Sequence, residues 1–140
     1  MIKADNLTKR FQGVTAVDHI HAEIQDGTVF GLIGTNGAGK STFLRMAAGI
    51  LKPDEGTITL DGESVFEDIR VKARCFYIPD EPYFLGNGTP DDMKTFYKGI
   101  YPKFDTDRFG KLLKSFELDG RRKVQTFSKG MKKQLAVLLG

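Results

Sequence analysis

One octapeptide constrains this chain more than any other part of it. Gly34-Thr35-Asn36-Gly37-Ala38-Gly39-Lys40-Ser41 fits the pattern G-x-x-x-x-G-K-[ST]. The apolar run Val29 to Ile33 precedes it, and the good helix formers KSTFLRMAAGI follow. Strand, glycine-rich loop and helix in that order curve backbone N–H groups inward onto an anion: the glycines permit the tight turn, and the helix adds the positive end of its dipole. Lys40 is then a compact positive charge for β- and γ-phosphates. The Ser41 hydroxyl is a ligand for Mg²⁺ bridging them, and Thr42 adds a hydrogen bond to phosphate. A merely solvated turn would leave the flanking strand and helix unexplained.

The rest of the chain narrows the setting. Its 140 residues, 40% of them hydrophobic, suit one globular domain and exclude intrinsic disorder. A single cysteine, Cys75, excludes an internal disulfide framework and suits a reducing compartment. No run of about 18 apolar residues exists and MIKADNLTKRF is no secretory leader, so the expectation is a chain that neither spans a membrane nor is secreted. Charge is uneven: residues 1–97 hold 10 basic and 14 acidic groups, residues 98–140 hold 11 and 4. A solvated helical surface accounts for those lysines and arginines, because they are spread without a compact patch.

Periodicity predicts strands over Ile2 to Leu7, Thr15 to Ile24 and Thr28 to Ile33, a helix over Lys40 to Ile50, and a hairpin in GTITLDGESV. A further short strand is predicted over Ala73 to Ile78. After Pro90 the period changes. Met93, Phe96, Tyr97 and Ile100 share one helical face behind a Thr89/Asp92 capping box. Phe109, Leu112, Leu113 and Phe116 repeat that spacing over Thr106 to Phe116, and a third helix starts at Ser128 and runs through Leu135, Leu138 and Leu139.

The stretch LTKRFQGVTAVDHIHAEIQDGTVFGLIGTNGAGKSTFLRMAAGILKPDEGTITLDG resembles the ATP-binding cassette of ABC transporters, and Phe127-Ser128-Lys129-Gly130-Met131 sits where that family has its signature L-S-G-G-Q. The fold implied is α/β, a phosphate-loop NTPase. Residues 1–87 would form the antiparallel β subdomain and loop core, and 88–133 the α-helical subdomain with the signature. The chain would be cut before Walker B. The resemblance implies ATP and Mg²⁺ as cofactors, bound by Gly34 to Thr42. It also implies an aromatic that stacks on adenine, a place taken by Phe11, which as an ordinary strand-end hydrophobe would do without that role.

In related cassettes two chains sandwich ATP head to tail. Ser128, Lys129, Gly130 and Met131 would therefore touch nucleotide held by the partner's loop. Lys129 and Met131 depart from the consensus; Lys129 either favours an anion at the helix start or faces solvent. The S-K-G-M form resembles ABC-2-type exporters. The segment Cys75-Phe76-Tyr77-Ile78-Pro79-Asp80-Glu81-Pro82 imitates Walker B but precedes the signature, and Pro79 would interrupt the strand, so it better resembles the Q-loop. Asp80 then replaces the usual glutamine, either as a Mg²⁺ ligand or as a solvated carboxylate. Pro82 to Gly88 would meet a separate transmembrane permease subunit.

The Walker B carboxylates and the later-loop histidine that hydrolysis needs have no counterpart. The only histidines, His19 and His21, lie on an early strand, where a half-exposed face explains them better than a metal does. Losing a positioned general base costs about 10²–10⁴ in rate. The expectation is therefore an ATP-binding subunit of an ABC transporter, peripheral on the inner face of the cell membrane, whose 140 residues hydrolyse ATP very slowly alone. The missing core strands would leave an uncovered sheet edge and apolar faces, and with them marginal solubility or dependence on a partner. The alternatives are a non-catalytic nucleotide-binding or regulatory module, and a soluble cassette ATPase acting on ribosomes or DNA, although nucleic acid is not an expected partner.

Overall fold

The computed structural model describes residues 1–66 and 68–140, which fall into two units, Met1–Tyr77 and Ile78–Gly140. The loop 78–87, grouped with the β unit on sequence grounds, lies here in the helical unit. Phe84 and Leu85 pack on the helical core, and the Val124 amide donates to the Gly88 carbonyl at 2.9 Å.

In the first unit, β1 (Ile2–Phe11) and β2 (Val14–Ile24) form a hairpin whose Phe11 and Val14 face each other. Gln12 and Gly13 between them have φ 43° and 85°. Positive φ at both positions marks the primed turn whose twist matches that of the strands. The second hairpin, β3 (Glu55–Leu60) and β4 (Glu63–Ser64), turns the same way through Asp61 and Gly62, as the sequence Asp-Gly indicated. The antiparallel sheet has the order β2-β1-β3-β4. Its buried Ala4, Leu7, Val17 and Ile58 cluster with Phe43, Met46 and Ala47 of α1 (Lys40–Ala47) and with Val71 of the short α2 (Ile69–Lys72). Thr8 is fully buried, and its hydroxyl accepts the His19 amide at 3.0 Å where the register shifts.

The helix expected over Lys40 to Ile50 stops at Ala47. Gly49, at φ 67°, lets its own amide reach the Met46 carbonyl and the Ile50 amide reach the Arg45 carbonyl, which is a Schellman termination.

Two expected strands do not form. Thr28 to Ile33 and Ala73 to Ile78 join no ladder. A continuous apolar run is the pattern of a strand buried on both faces of a parallel sheet, and no described residue offers such neighbours. Val29 and Ile33 are in consequence almost wholly exposed, at 103% and 95%.

In the second unit, α3 (Pro90–Ile100), α4 (Thr106–Ser115), the 3₁₀ turn Val124–Thr126 and α5 (Lys129–Leu138) enclose a core of Met93, Phe109, Leu113, Val124, Phe127 and Leu135. The shared face expected for α3 is only half covered. Met93 is buried and Tyr97 packs against the core, but Phe96 and Ile100 remain exposed, because the buried stripe of α3 is narrower than the apolar one.

The capping box of α3 is present: Asp92 donates its amide to Thr89 Oγ1 at 3.2 Å and accepts the Thr89 amide at 2.9 Å. That backbone bond, followed by the Thr89 hydroxyl, holds the Asp92 carboxyl below its ordinary range. A folded value below the unfolded one means the contribution is complete above the ordinary carboxylate range and is lost as pH falls through the lower, folded value. Thr89→Ala should cost about 1 kcal/mol. Asp92→Asn should flatten the acid dependence of amide exchange at 89–93 between about pH 2 and 6; an unchanged profile would contradict the box.

Candidate nucleotide-binding site

The octapeptide forms the expected loop on α1. A turn bond joins the Ala38 amide to the Thr35 carbonyl at 3.2 Å, and the loop enters the helix through Gly39 at φ 79°. Gly37 is at φ 86° with open space around it. At Gly39 a Cβ would collide with the Ala16 carbonyl oxygen and come within 3.1 Å of its carbon and 3.2 Å of Val17 Cγ2. Gly39 therefore serves close approach to β2 as well as conformation.

The N-terminus of α1 differs from the other α-helices among the described residues. Asp68, Thr89, Asp105 and Ser128 cap α2, α3, α4 and α5 through their side chains, whereas α1 has neither a side-chain cap nor an acidic residue in its first turn. Its first amides lack side-chain acceptors and stand in the positive end of the dipole. Lys40 Nζ donates to the Gly34 and Thr35 carbonyls at 2.7 and 2.6 Å, so the ammonium lies over the loop. Ser41 is exposed and Thr42 half-buried beside it. Amides, an ammonium and hydroxyls with no carboxylate among them make a donor set that fits a polyphosphate, and the Ser41 hydroxyl fits its Mg²⁺. Phe11 is 45% exposed at the β1–β2 turn, with Lys9 Nζ 5.5 Å from its ring centre.

In the second unit Ser128 is the N-cap of α5. Its hydroxyl accepts the Met131 amide at 3.2 Å. Ser128, Lys129 and Gly130 are exposed, while Met131 packs partly into the helical core. A Cβ on Gly130 would meet only Ser128 Oγ, at 3.8 Å, so packing within this chain does not call for glycine there. Residue spacing carries no signal for the brace before it. Arg122 donates to Thr126 Oγ1 at 2.9 Å and to the Thr126 carbonyl at 2.8 Å, and its guanidinium lies 5.6 Å from the Phe127 ring centre. A hydrogen-bonding fork above an aromatic fixes the turn that delivers Ser128.

Asp80 is exposed and has Lys133 as its partner, an ion pair that sequence spacing alone does not reveal. Leu85, Gly86, Asn87 and Gly88, from the stretch expected to meet a membrane subunit, line an open groove of about 440 Å³ with Asp92, Thr95 and Phe96. The histidines do not converge: His21 Nδ1 is 2.8 Å from Asp5 and His19 Nδ1 is 2.5 Å from Asp18. No group of three His, Cys, Asp or Glu suited to a metal occurs among the described residues.

Comparison with known proteins covers nearly the whole chain. The family model described as ABC transporter matches residues 17–139. The ABC transporter ATP-binding protein YtrB of Bacillus subtilis (strain 168) is 34% identical over 99% of this chain and 48% of its own length. The bacitracin transport ATP-binding protein BcrA of Bacillus licheniformis is 31% identical over 98% of this chain and 46% of its own. The chain thus spans about half the length of these curated relatives. Among solved structures, the dimeric cassette MJ0796 in a post-hydrolysis state with ADP and Pi superposes with TM-score 0.78 at 20% identity, covering 99% of this chain and 68% of that one. The α/β cassette fold expected from the sequence is therefore present in its antiparallel sheet and helices. With Gly34–Ser41 and Phe127–Met131 both inside the matched span, the chain belongs to the ATP-binding family of ABC transporters.

Proposed function

We propose that the chain is the nucleotide-binding part of an ATP-driven transporter whose membrane-spanning subunit is a separate polypeptide. The observation that carries this reading is the uncapped start of α1 with Lys40 folded over the loop, a ready donor set for phosphates. Amides of 34–42 bind and orient the triphosphate, Lys40 neutralises its outer phosphates, and Ser41 holds the Mg²⁺, which when bound screens the charge between them. Phe11 stacks on the base. These residues bind ATP on this reading.

Ser128, exposed at the start of α5, and Gly130, without a packing duty of its own, meet nucleotide on a second copy, and Lys129 adds positive charge there. The open groove by Leu85 to Gly88 receives the membrane subunit. No helix among the described residues is long and apolar enough to cross a membrane. On this reading the protein works at the membrane's inner face through that partner, in an exporter, as the S-K-G-M form suggests.

Titration with a fluorescent ATP analogue tests the reading. We expect saturable binding, tighter with Mg²⁺ than with EDTA and competed by ATP. No binding would overturn it. In the same assay Phe11→Ala should weaken affinity about 5-fold or more, the alanine cost of base stacking. Unchanged affinity would remove Phe11 from the site.

A further inference from the structure

The loop that opens at Pro79 and closes at Gly88 is fastened at both ends to the segment carrying Ser128. At its close the fastening is backbone: the Gly88 carbonyl accepts the Val124 amide at 2.9 Å, and the Gly120 carbonyl accepts the Asp91 amide at 3.1 Å. At its opening it is one side chain. Lys133, on α5, donates from Nζ to the Pro79 carbonyl at 3.2 Å and to Asp80 Oδ1 at 3.3 Å. The Asp80 side chain is 94% exposed and that of Lys133 38%, so the ion pair alone is weak. The added carbonyl bond turns a loose pair into a two-point hold on consecutive loop residues.

We propose that Lys133 is a positioning residue: it keeps the start of this loop on the signature helix, so that the loop and Ser128 move together. The functional meaning rests on the reading above, in which the loop meets the membrane subunit and Ser128 meets ATP. Between the two fastenings the loop has little regular structure, and Tyr83 is 83% exposed. A displacement at the groove would reach α5 through Lys133 at one end and the Val124 turn at the other. Replacing the usual amide by Asp80 gives the loop the negative charge that Lys133 takes up.

Amide exchange read by mass spectrometry on the full 140-residue chain tests this, with peptides from residues 1–24 as an internal reference. Lys133→Met should speed exchange at 81–88 by up to about 5-fold, the scale of one exposed ion pair, and leave the reference unchanged. Lys133→Arg, which keeps the donors, should restore slow exchange. Asp80→Asn, at an exposed position that leaves the fold intact, should give part of the effect. Combining it with Lys133→Met should add nothing further. Raising salt from about 0.05 to 0.5 M should speed the wild type and not Lys133→Met, since only a charge contact is screened. Unchanged exchange in Lys133→Met, additive effects, or acceleration of all peptides alike would each overturn the proposal. Failure of the wild type to bind ATP would instead remove the functional reading and leave this exchange pattern standing.

Discussion

Lys40→Met lowers the affinity for ATP by at least about 30-fold, the lower end of what truncating one partner of a desolvated charge pair costs. Two causes of such a loss must be separated, because in the structure the ammonium also bonds the Gly34 and Thr35 carbonyls. If the lysine acts on the outer phosphates, the penalty grows with phosphate number: large for ATP, smaller for ADP and slight for AMP. If it only holds the loop in shape, all three nucleotides weaken alike. Isothermal titration with the three ligands distinguishes these outcomes, and equal affinities in wild type and variant would overturn the assignment of the loop. Lys40→Arg should fall between, because the planar guanidinium is larger and its donors are set in a fixed fork.

Gly39→Ala destabilises the first unit by about 2–5 kcal/mol. Left-handed backbone costs a residue with a Cβ about 1–2 kcal/mol, and forcing atoms into a filled space about 1–3 kcal/mol more; the Ala16 carbonyl leaves a methyl no room. Gly37→Ala is the control. It has the same sign of φ but nothing within 4 Å, so only the first cost applies. Urea denaturation followed by circular dichroism compares the two, and equal effects would show that the close approach to β2 does not matter. The two glycines look interchangeable in the motif. Only the packing of α1 against β2 tells them apart.

What the sequence made legible was whatever short-range chemistry decides. The loop pattern, the Thr89/Asp92 box, the Ser128 cap and the Asp61-Gly62 turn each depend on a few neighbouring residues, and each is where the sequence put it. Thr28 to Ile33 failed for a tertiary reason: its apolar pattern is that of an inner parallel strand, and ladder partners are not encoded in the strand itself. Phe96 and Ile100 failed for a related one, since periodicity finds an apolar stripe but not how much of it a neighbour covers. Lys133 and Arg122 were missed because their partners, Asp80 and Phe127, become neighbours only when the chain turns. A long cation in a basic stretch looks solvated until the loop it holds is seen.

The bare start of α1 has a thermodynamic corollary. Its siblings carry their own caps, but the first amides of α1 have no side-chain acceptor, so on the proposed function a bound phosphate would in effect be part of the helix. Whatever binds only the folded form stabilises it by mass action, about 2.7 kcal/mol at a ligand concentration 100 times its dissociation constant. The lifetime of this unit would then follow the nucleotide supply around it, and depletion of nucleotide would loosen the helix that holds it.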